Sequence, residues 1–390
     1  MKHFSIAVAA VLLLAAAPLD QPVERAVANS ATVAPVAPEI PVALLVDLSS
    51  GQTLYAREAE RRFVPASVAK VMTAYTAFGL IEQGELALDR PVAVSEEVAE
   101  QWSGEGSSLR LKAGDRLTVG ELLMGITTVS ANDAAVMLAV AAAGSQAEWL
   151  ALMNANAAQL GLRDTHFATP NGWPDEGRTY TSARDLALLA EALTTRFPGL
   201  YRRYFGHPGL TYREITQANH DPISGVVEGA DGIKTGFTRE SGFTFLGSAE
   251  RDGRRLVVVL AGAPSASVRD RAARELIEWG FSAFESREIL PGATPVGQAR
   301  VQNGADDRVR LETAGKVLAS VPPGDQGEVS LTLRYRGPVE APIAKGQQVA
   351  WLRVAVAGQQ PHDVPLVAAE AVAQANPFQR LLNGLVGLLT

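Results

Sequence analysis

The sequence contains no cysteine, which excludes disulfides, thiol catalysis and cysteine-ligated metals. Lysine is also scarce, because basic charge rests almost wholly on arginine. The lysines are Lys2, Lys70, Lys112, Lys234, Lys316 and Lys345. The five histidines show no paired spacing typical of a zinc site. We therefore expect no metal and no cofactor, and a motif that needs lysine is hard to satisfy by chance.

The chain also lacks an excess of positive charge. Asp and Glu number 42 against 35 Lys and Arg, the net charge is -7, and no long basic run compensates locally. Nucleic acid is therefore not an expected partner. Hydrophobic residues make up 47% of the 390 residues, which is enough to bury a large core and to form more than one domain.

The N-terminus is typical of a secretory signal peptide. Lys2 supplies a positive charge, the segment 4–17 is apolar, and small residues follow. The apolar run is short for a membrane span, so export is expected, with an uncleaved anchor as the alternative. We predict a signal peptide at 1–28, with an undefined cleavage point, and a linker rich in Ala, Val and Pro at 29–38.

Residues 39–284 combine strand and helix patterns. Strand patterns occupy 40–48, 53–56, 232–236, 243–250 and 255–261, and helical periodicity marks 67–79, 134–143, 146–160, 183–193 and 269–281. The last two strands are joined by Asp252-Gly253, a strong hairpin signal. Strands early and late with helices between them predict an α/β (α+β) domain, in which an antiparallel sheet is flanked by helices.

The chain after residue 284 has a different composition. Residues 285–372 show short alternating runs separated by Gly and Pro, which predict a small all-β domain without chemistry of its own. The segment 373–390 predicts an amphipathic helix, with Asn376 and Pro377 at its start. Such a helix is too short to span a bilayer but could lie in its surface, or could dock on the protein.

Three short motifs occur in order along the chain. They are Ser67-Val68-Ala69-Lys70, Ser130-Ala131-Asn132 and Lys234-Thr235-Gly236. Together they make the SxxK, SxN and KTG set of β-lactamases and penicillin-binding proteins. Each motif alone is weak. In combination, two of the few lysines occupy the required places, one on a predicted helix and the other on a predicted strand.

The spacing of the first motif fits a nucleophile and its base. Ser67 and Lys70 lie about one turn apart on a helix, so the amine can reach the hydroxyl. An ammonium cannot accept a proton, so Lys70 must be available as the neutral amine. Burial, the positive end of the helix and the charge of Lys234 would each lower the pKa of Lys70. The missing side chain at Gly236 would let a substrate backbone approach the strand.

With these motifs the chain resembles the low-molecular-mass penicillin-binding proteins, specifically the D-alanyl-D-alanine carboxypeptidases. The resemblance covers most of the chain, including 65–70, 129–133, 231–236, 279–281, the β-rich domain and the tail. It implies a serine peptidase that removes the terminal D-Ala from peptidoglycan stem pentapeptides and is inhibited by β-lactams. It also implies a periplasmic enzyme that contacts the outer face of the cytoplasmic membrane through its C-terminal helix.

The resemblance implies roles for the first two motifs. Ser67 would attack the carbonyl carbon of the penultimate D-Ala, and Lys70 would take the hydroxyl proton. Ser130 would relay a proton to the departing D-Ala amine. Asn132 would hydrogen-bond the substrate amide, and water would then release the acyl-enzyme.

Further roles follow from the same resemblance. Lys234, Thr235 and Arg269 would receive the terminal carboxylate of the substrate. The backbone N–H groups of Ser67 and Phe237 would form the oxyanion hole. Similar proteins often carry His after the KTG triplet, and Phe237 removes any such side-chain contribution to binding or to pH dependence.

Three alternatives share part of this pattern. A class A β-lactamase has the same motifs but needs a Glu to activate the deacylating water, and the candidate Glu176 lies in a segment of loop composition. A DD-endopeptidase would use the same machinery on crosslinks, and a non-catalytic wall-binding scaffold could retain the fold. His166 and Asn171 are interpreted as a structural turn beside the site.

Overall fold

The computed structural model describes residues 33–324 and 327–376. The predicted signal peptide, the first residues of the linker and most of the predicted C-terminal helix lie outside the described residues. Two folded regions follow one another along the chain: an α/β region and a β-rich region.

Strands and helices are interspersed along the α/β region. It begins with β1 (Val42–Asp47), β2 (Gln52–Arg57), a 3₁₀ turn (Ala66–Ala69) and α1 (Lys70–Glu82). It continues with β3 (Pro91–Ala93), α2 (Glu96–Trp102), β4 (Arg116–Thr118), α3 (Val119–Thr128), α4 (Asn132–Ala143), α5 (Gln146–Gln159), α6 (Ala183–Arg196) and α7 (Pro198–Tyr204). It ends with β5 (Gly209–Tyr212), β6 (Ile215–Ala218), β7 (Ala230–Thr238), β8 (Gly242–Arg251), β9 (Arg254–Ala263) and α8 (Ala266–Ser282).

A five-stranded antiparallel sheet lies at the centre of this region, in the order β2-β1-β9-β8-β7, so the early and late strands share one sheet as predicted. The β8–β9 hairpin turns at Asp252 and Gly253, whose φ values of 50° and 76° suit a type I′ turn. Successive side chains of β1 point to opposite faces of the sheet and belong to two hydrophobic cores. Leu44 is part of the core formed with α1 and α3 to α6, and Leu45 is part of the core formed with α8. Strand β7 is left at an edge of the sheet.

The helix predicted from Ser67 begins in two stages. Ala66 has a φ of 49°, the 3₁₀ turn follows, and α-helical geometry starts at Lys70 and continues to Glu82. The left-handed residue bends the chain immediately before Ser67. Between α5 and α6, residues 160–182 form turns and isolated bridges, where glycines and prolines interrupt the helical layer.

The second region is all-β, as predicted. Its strands are β10 (Glu285–Leu290), β11 (Pro295–Gln302), β12 (Arg308–Thr313), β13 (Val317–Val321), β14 (Val329–Arg334), β15 (Val339–Glu340), β16 (Gln348–Val356) and β17 (His362–Ala368). Six strands form a sheet in the order β14-β16-β17-β12-β11-β15, and β10 pairs with β13. Together they enclose a separate hydrophobic core.

The first four residues of the segment 373–390 belong to the described chain and are not helical. Gln374 bridges to Gly304, and the amide of Ala375 donates to the carbonyl of Asn303 at 2.8 Å. The predicted helix, with Asn376 at its N-cap and Pro377 as its first residue, lies outside the described residues and stays a prediction. Within 33–324 and 327–376, no single helix is long and apolar enough to cross a membrane, and only α4 and α5 reach that length together, bent by 90°.

A buried polar network joins the two regions. Arg254 Nε donates to Asp47 Oδ2 at 2.6 Å, and Ser320 Oγ donates to the same oxygen at 2.7 Å. Gln52 Nε2 donates to the carbonyl of Ser320 at 3.2 Å, and the Ser320 amide donates to Gln52 Oε1 at 3.1 Å. Arg254 also donates to the carbonyl of Phe284 at 2.6 Å. Because these buried groups satisfy one another, β13 is held against the sheet of the first region.

Candidate active site

The 3₁₀ turn that carries Ser67 is packed against two glycines. A Cβ atom at Gly172 would lie 1.9 Å from the carbonyl oxygen of Ala66, and one at Gly236 would lie 3.2 Å from the amide nitrogen of Ser67. A side chain at either position would push against this turn. The two glycines therefore bring the segment 160–182 and strand β7 into contact with the candidate nucleophile.

Lys70 is the first residue of α1 and is only 1% exposed. Its Nζ lies 2.9 Å from Ser67 Oγ, 2.7 Å from Asn132 Oδ1 and 2.6 Å from the carbonyl oxygen of Asn171. The two carbonyl-type oxygens can only accept hydrogen bonds, whereas a hydroxyl can donate or accept. Of these three neighbours, Ser67 is therefore the one that can give Lys70 a proton.

The electrostatics of the site favour an uncharged Lys70. Burial lowers the pKa of this amine well below its usual value, the charge of Lys234 lowers it further, and Asp133 acts in the opposite direction. The pKa of Lys234 is itself lowered to about 7, mainly by burial, with Arg269 adding to the effect and Asp221 opposing it. Burial and the second lysine, two of the three causes expected from the sequence, both lower the pKa of Lys70.

The second motif lies where α3 ends and α4 begins. Ser130 is buried and has a φ of 62°, and Asn132 is the first residue of α4. This left-handed turn lets the chain change direction within three residues, so both side chains of the motif lie at one helix junction. Asn132 bridges two groups, since its Oδ1 accepts from Lys70 and its Nδ2 donates to the carbonyl of Glu105 at 2.9 Å.

Asp133 supports this junction, although no role for it was expected from the sequence. Its fully buried carboxylate accepts from Ser108 Oγ at 2.7 Å and from the amide of Leu111 at 3.0 Å. These bonds hold the loop whose Glu105 carbonyl receives Asn132. A carboxylate in the first turn of an apolar helix was the available signal, because a buried acid needs partners.

The third motif lies on edge strand β7. Lys234 and Thr235 are buried, and Lys234 Nζ donates to the carbonyl of Thr235 at 3.1 Å. Gly236 has a packing role that was not expected from the sequence. A Cβ atom there would lie 2.6 Å from the carbonyl oxygen of Pro65, so the missing side chain lets the Ser67 turn pack against the strand.

The two other predicted site residues lie beside this strand. Arg269, near the start of α8, is buried and close enough to Lys234 to lower its pKa, and its Nε donates to Asp270 Oδ1 at 2.6 Å. Part of its guanidinium is thus engaged on its own helix. Phe237 is 53% exposed and stacks on Phe243 with ring centroids 4.2 Å apart.

Asn171 contributes more than the structural turn expected from the sequence. Its carbonyl accepts from Lys70, while its Oδ1 accepts from the amide of Trp173 at 3.0 Å. His166 has a different place, because its backbone pairs with Tyr180 on the other side of the same loop. A backbone carbonyl has no sequence signature, and Asn-Gly at 171–172 indicates only a turn.

Comparison with known protein families identifies the family of this chain. A family model described as D-alanyl-D-alanine carboxypeptidase matches residues 29–265, more than half of the chain. A second, described as penicillin-binding protein 5, C-terminal domain, matches residues 284–374. The chain therefore belongs to the D-alanyl-D-alanine carboxypeptidase family and is a hydrolase with that activity.

Individual relatives extend over most of the chain. D-alanyl-D-alanine carboxypeptidase DacD of Salmonella typhimurium is 34% identical over 364 residues, 91% of this chain and 92% of that protein. Penicillin binding protein 5 from Haemophilus influenzae has a TM-score of 0.74 at 29% identity, covering 88% of this chain and all of that one. Penicillin-Binding Protein D2 from Listeria monocytogenes, in its ampicillin-bound form, has a TM-score of 0.56 at 28% identity over 62% of this chain and 98% of that one. The penicillin-binding fold and the all-β second region are thereby shown.

Proposed function

We propose that this carboxypeptidase removes the terminal D-alanine from peptidoglycan stem pentapeptides through an acyl-enzyme on Ser67. Ser67 Oγ attacks the carbonyl carbon of the penultimate D-Ala while Lys70 takes the hydroxyl proton. Ser130 passes a proton to the amine of the departing D-Ala. Water then hydrolyses the ester and restores the serine. β-Lactams acylate the same hydroxyl, which agrees with a relative known in an ampicillin-bound form.

The observation that carries this proposal is the set of oxygens around Lys70 Nζ. A neutral amine has two N–H donors and one lone pair. Asn132 Oδ1 and the Asn171 carbonyl, at 2.7 and 2.6 Å, take the two donors, so the lone pair is left for the Ser67 hydroxyl at 2.9 Å. The lowered pKa of Lys70 supports the same state of the amine.

The terminal carboxylate is placed on the β7 side of the nucleophile. Lys234, Thr235 and Arg269 supply charge and a hydroxyl for it. The N–H groups of Ser67 and Phe237 stabilise the developing oxyanion, each by on the order of 3 kcal/mol. The contact between Gly236 and the Ser67 turn supports this pairing, because it brings the strand to the turn.

The surroundings of Glu176 support a carboxypeptidase over a class A β-lactamase. Glu176 is exposed, with a φ of 62°, in the segment 160–182. A carboxylate in open solvent is poorly placed to activate water beside a buried ester. Penicillin is therefore expected to remain on the enzyme for long times.

The proposal also covers processing and location. Export through the signal peptide at 1–28 delivers domains at 39–284 and 285–372 to the periplasm. The amphipathic segment after Asn376 attaches them to the outer face of the cytoplasmic membrane. The apolar run at 4–17 and the apolar positions of the C-terminal segment support this arrangement.

The experiment treats the wild type and Ser67→Ala with labelled penicillin and locates the adduct by mass spectrometry. The label is expected on Ser67, and the variant is expected to lose both labelling and D-Ala release from a pentapeptide. Ser330→Ala, at an exposed position of β14, is the matched control and should retain both. Continued D-Ala release by Ser67→Ala would contradict the proposal. Nitrocefin turnover and a crosslinked muropeptide separate lactamase and endopeptidase activities.

A further inference from the structure

Trp351 is an exposed aromatic residue on the outer face of the six-stranded sheet. Its neighbours in β16, Ala350 and Leu352, belong to the core of the β-rich region. Successive side chains of a strand point to opposite faces, so Trp351 points away from that core, and it is 38% exposed. The mechanism above does not use this residue, which therefore leaves one aromatic ring on an open sheet.

Six residues of β14, β16 and β17 form two rows on this outer face. Across the strands, the first row is Arg334, Trp351 and Pro365, and the second row is Thr332, Arg353 and Asp363. Residues that pair across antiparallel strands share a face of the sheet. Neighbouring strands lie about 5 Å apart, so each row spans about 10 Å. We call these six residues the tryptophan face.

Two guanidinium groups of the tryptophan face share one carboxylate. Arg353 Nε and Nη2 donate to Asp363 Oδ1 and Oδ2 at 2.9 and 3.1 Å, which fixes the plane of that guanidinium. Arg334 Nη1 lies 3.7 Å from Asp363 Oδ2, which is beyond hydrogen-bond distance, so its donors remain available. This face therefore carries a net positive charge, although the chain as a whole has a net charge of -7. It is complementary to a ligand that carries carboxylates and hydroxyls.

The apolar part of the tryptophan face is too small for a protein partner. Among the described residues after 284, the exposed large hydrophobic side chains are Leu331 and Trp351. Leu331 belongs to the opposite face of β14, because its partner Val354 is buried. A specific protein interface buries about 800 Å² on each side around an apolar centre. One indole surrounded by polar groups instead matches a sugar ring, whose C–H face packs on an aromatic ring while its hydroxyls form hydrogen bonds.

We infer that the tryptophan face binds the glycan strand of peptidoglycan, a polymer of acetylated amino sugars whose acidic substituents carry carboxylates. The choice of this polymer rests on the proposed function, because the stem peptides cleaved at Ser67 are attached to it. The indole of Trp351 covers a sugar ring, and Arg334 with the free edge of Arg353 receives carboxylate and hydroxyl oxygens. The β-rich region thereby holds the enzyme on its polymer while the reaction takes place in the α/β region.

The experiment measures the dissociation constant of the full chain for glycan strands from which an amidase has removed the stem peptides. These strands keep the carboxylates of their acidic sugars and offer no D-alanine to the active site. Trp351→Ala is expected to weaken binding about tenfold, because the ring contact is lost, and Trp351→Phe should restore most of it. Arg334→Ala should weaken binding about threefold and reduce the preference over chitin oligosaccharides, which are acetylated amino sugars without carboxylates.

The matched control is Leu331→Ala, because Leu331 is 39% exposed on the opposite face of β14 and should leave glycan binding unchanged. Trp351→Leu keeps an apolar side chain without a ring face, should bind as weakly as Trp351→Ala, and serves if the alanine variant does not fold. Unchanged binding in folded Trp351→Ala or Trp351→Leu would overturn the inference. Wild-type binding to vesicles of anionic phospholipid, with none to glycan strands, would also overturn it and would assign this face to a membrane.

Release of D-Ala from a soluble pentapeptide reports separately on the proposed function. The tryptophan face is not part of the catalytic site, so Trp351→Ala and Arg334→Ala should release D-Ala at the wild-type rate. A failure of the proposed function would appear in this assay as absent release by the wild type. A failure of the glycan inference would leave this release unchanged and would appear only in the binding measurements.

Discussion

The α/β region and the β-rich region bury different kinds of polar side chain. The first buries charged groups that include Lys70, Asp133, Lys234 and Arg269. In the second, across 285–324 and 327–376, the buried polar side chains are Thr313 and Ser320, and neither is charged. Removing a charge from water costs several kcal/mol unless partners compensate for it. The first region accepts that cost beside Ser67, where Lys70 lies 2.9 Å from the hydroxyl, and also at its junction with the second region, where Arg254 pairs with Asp47.

The ion pairs of the two regions differ in the same way. The Arg254–Asp47 pair is almost fully buried, whereas in the β-rich region the side chains of Arg353 and Asp363 are 40% and 35% exposed. Exposed pairs contribute little to stability because water and salt screen them. The β-rich region is thus held together mainly by its apolar core, as its alternating sequence predicts.

The largest expected effect comes from making the buried base permanently charged. Lys70→Arg should lower the rate of acylation by penicillin by roughly a thousandfold or more, because a guanidinium cannot act as a proton acceptor at neutral pH. Lys316→Arg makes the same change at an exposed lysine of the β-rich region and should leave acylation unchanged. Stopped-flow or gel-based penicillin labelling measures both. Substantial acylation by Lys70→Arg would break the link between buried charge and chemistry.

The next largest effect is a loss of stability at the junction of the two regions. Arg254→Ala leaves the Asp47 carboxylate buried without its cation and removes the hydrogen bond to the Phe284 carbonyl. The free energy of unfolding should therefore fall by about 3 kcal/mol. Chemical denaturation measures this change. A two-step unfolding curve for the variant would sharpen the comparison, because it would show that the network couples the regions. A loss below about 1 kcal/mol would contradict a stabilising role for the network.

Short-range sequence patterns predicted much of the fold. Asp252-Gly253 predicted the β8–β9 hairpin because only residues tolerant of positive φ fit its turn. Apolar periodicity located α4 to α6 and α8 to within a few residues. The three motifs supplied residue types that the structure brings close to Ser67. Each of these signals lies within one element, where sequence spacing fixes geometry.

Short-range patterns did not predict the contacts between segments that are distant in the sequence. The Asn171 carbonyl reaches Lys70 only because the loop at 160–182 folds back on the 3₁₀ turn. The packing role of Gly236 was missed, since Pro65 and Ser67, far away in sequence, lie close to where its side chain would be. Ser320 gave no sign that it would join Asp47 across the junction. Sequence spacing says nothing about these partners, because tertiary packing creates them.

A smaller change in the free energy of unfolding is expected at Lys234, the second buried lysine. Its sign is opposite to that of Arg254→Ala, because substitution should stabilise the protein. The pKa of Lys234 falls from 10.5 to about 7 on folding, which corresponds to about 5 kcal/mol of destabilisation below pH 7. Lys234→Met should remove this cost and lose the bond to Thr235, leaving a net stabilisation of about 2 kcal/mol at pH 6.

The pH dependence gives this prediction its sign. Between pH 7 and 10.5 the unfolded chain binds more protons at Lys234 than the folded protein does, so wild-type stability rises with pH across that window. The advantage of Lys234→Met should therefore be full below pH 7 and fade towards pH 10.5. Denaturation at pH 6 and pH 9.5 measures it. Destabilisation by the variant at pH 6 would show that Lys234 carries no folding penalty.

The smallest effect is expected at the exposed pair of the β-rich region. Arg353 lowers the pKa of Asp363 through a side-chain hydrogen bond, with Nε 2.9 Å from Oδ1, so the pair stabilises the fold at pH values where Asp363 is ionised even in the unfolded chain. This contribution is lost as the pH falls through the lowered folded pKa. Because both side chains are partly exposed, Arg353→Ala should cost only about 0.5 kcal/mol at pH 7, and less in 1 M salt. Thermal denaturation at low and high salt measures the difference. A loss of unfolding free energy close to that of Arg254→Ala would show that the exposed ion pair stabilises the protein as much as the buried one, which contradicts the comparison between the two regions.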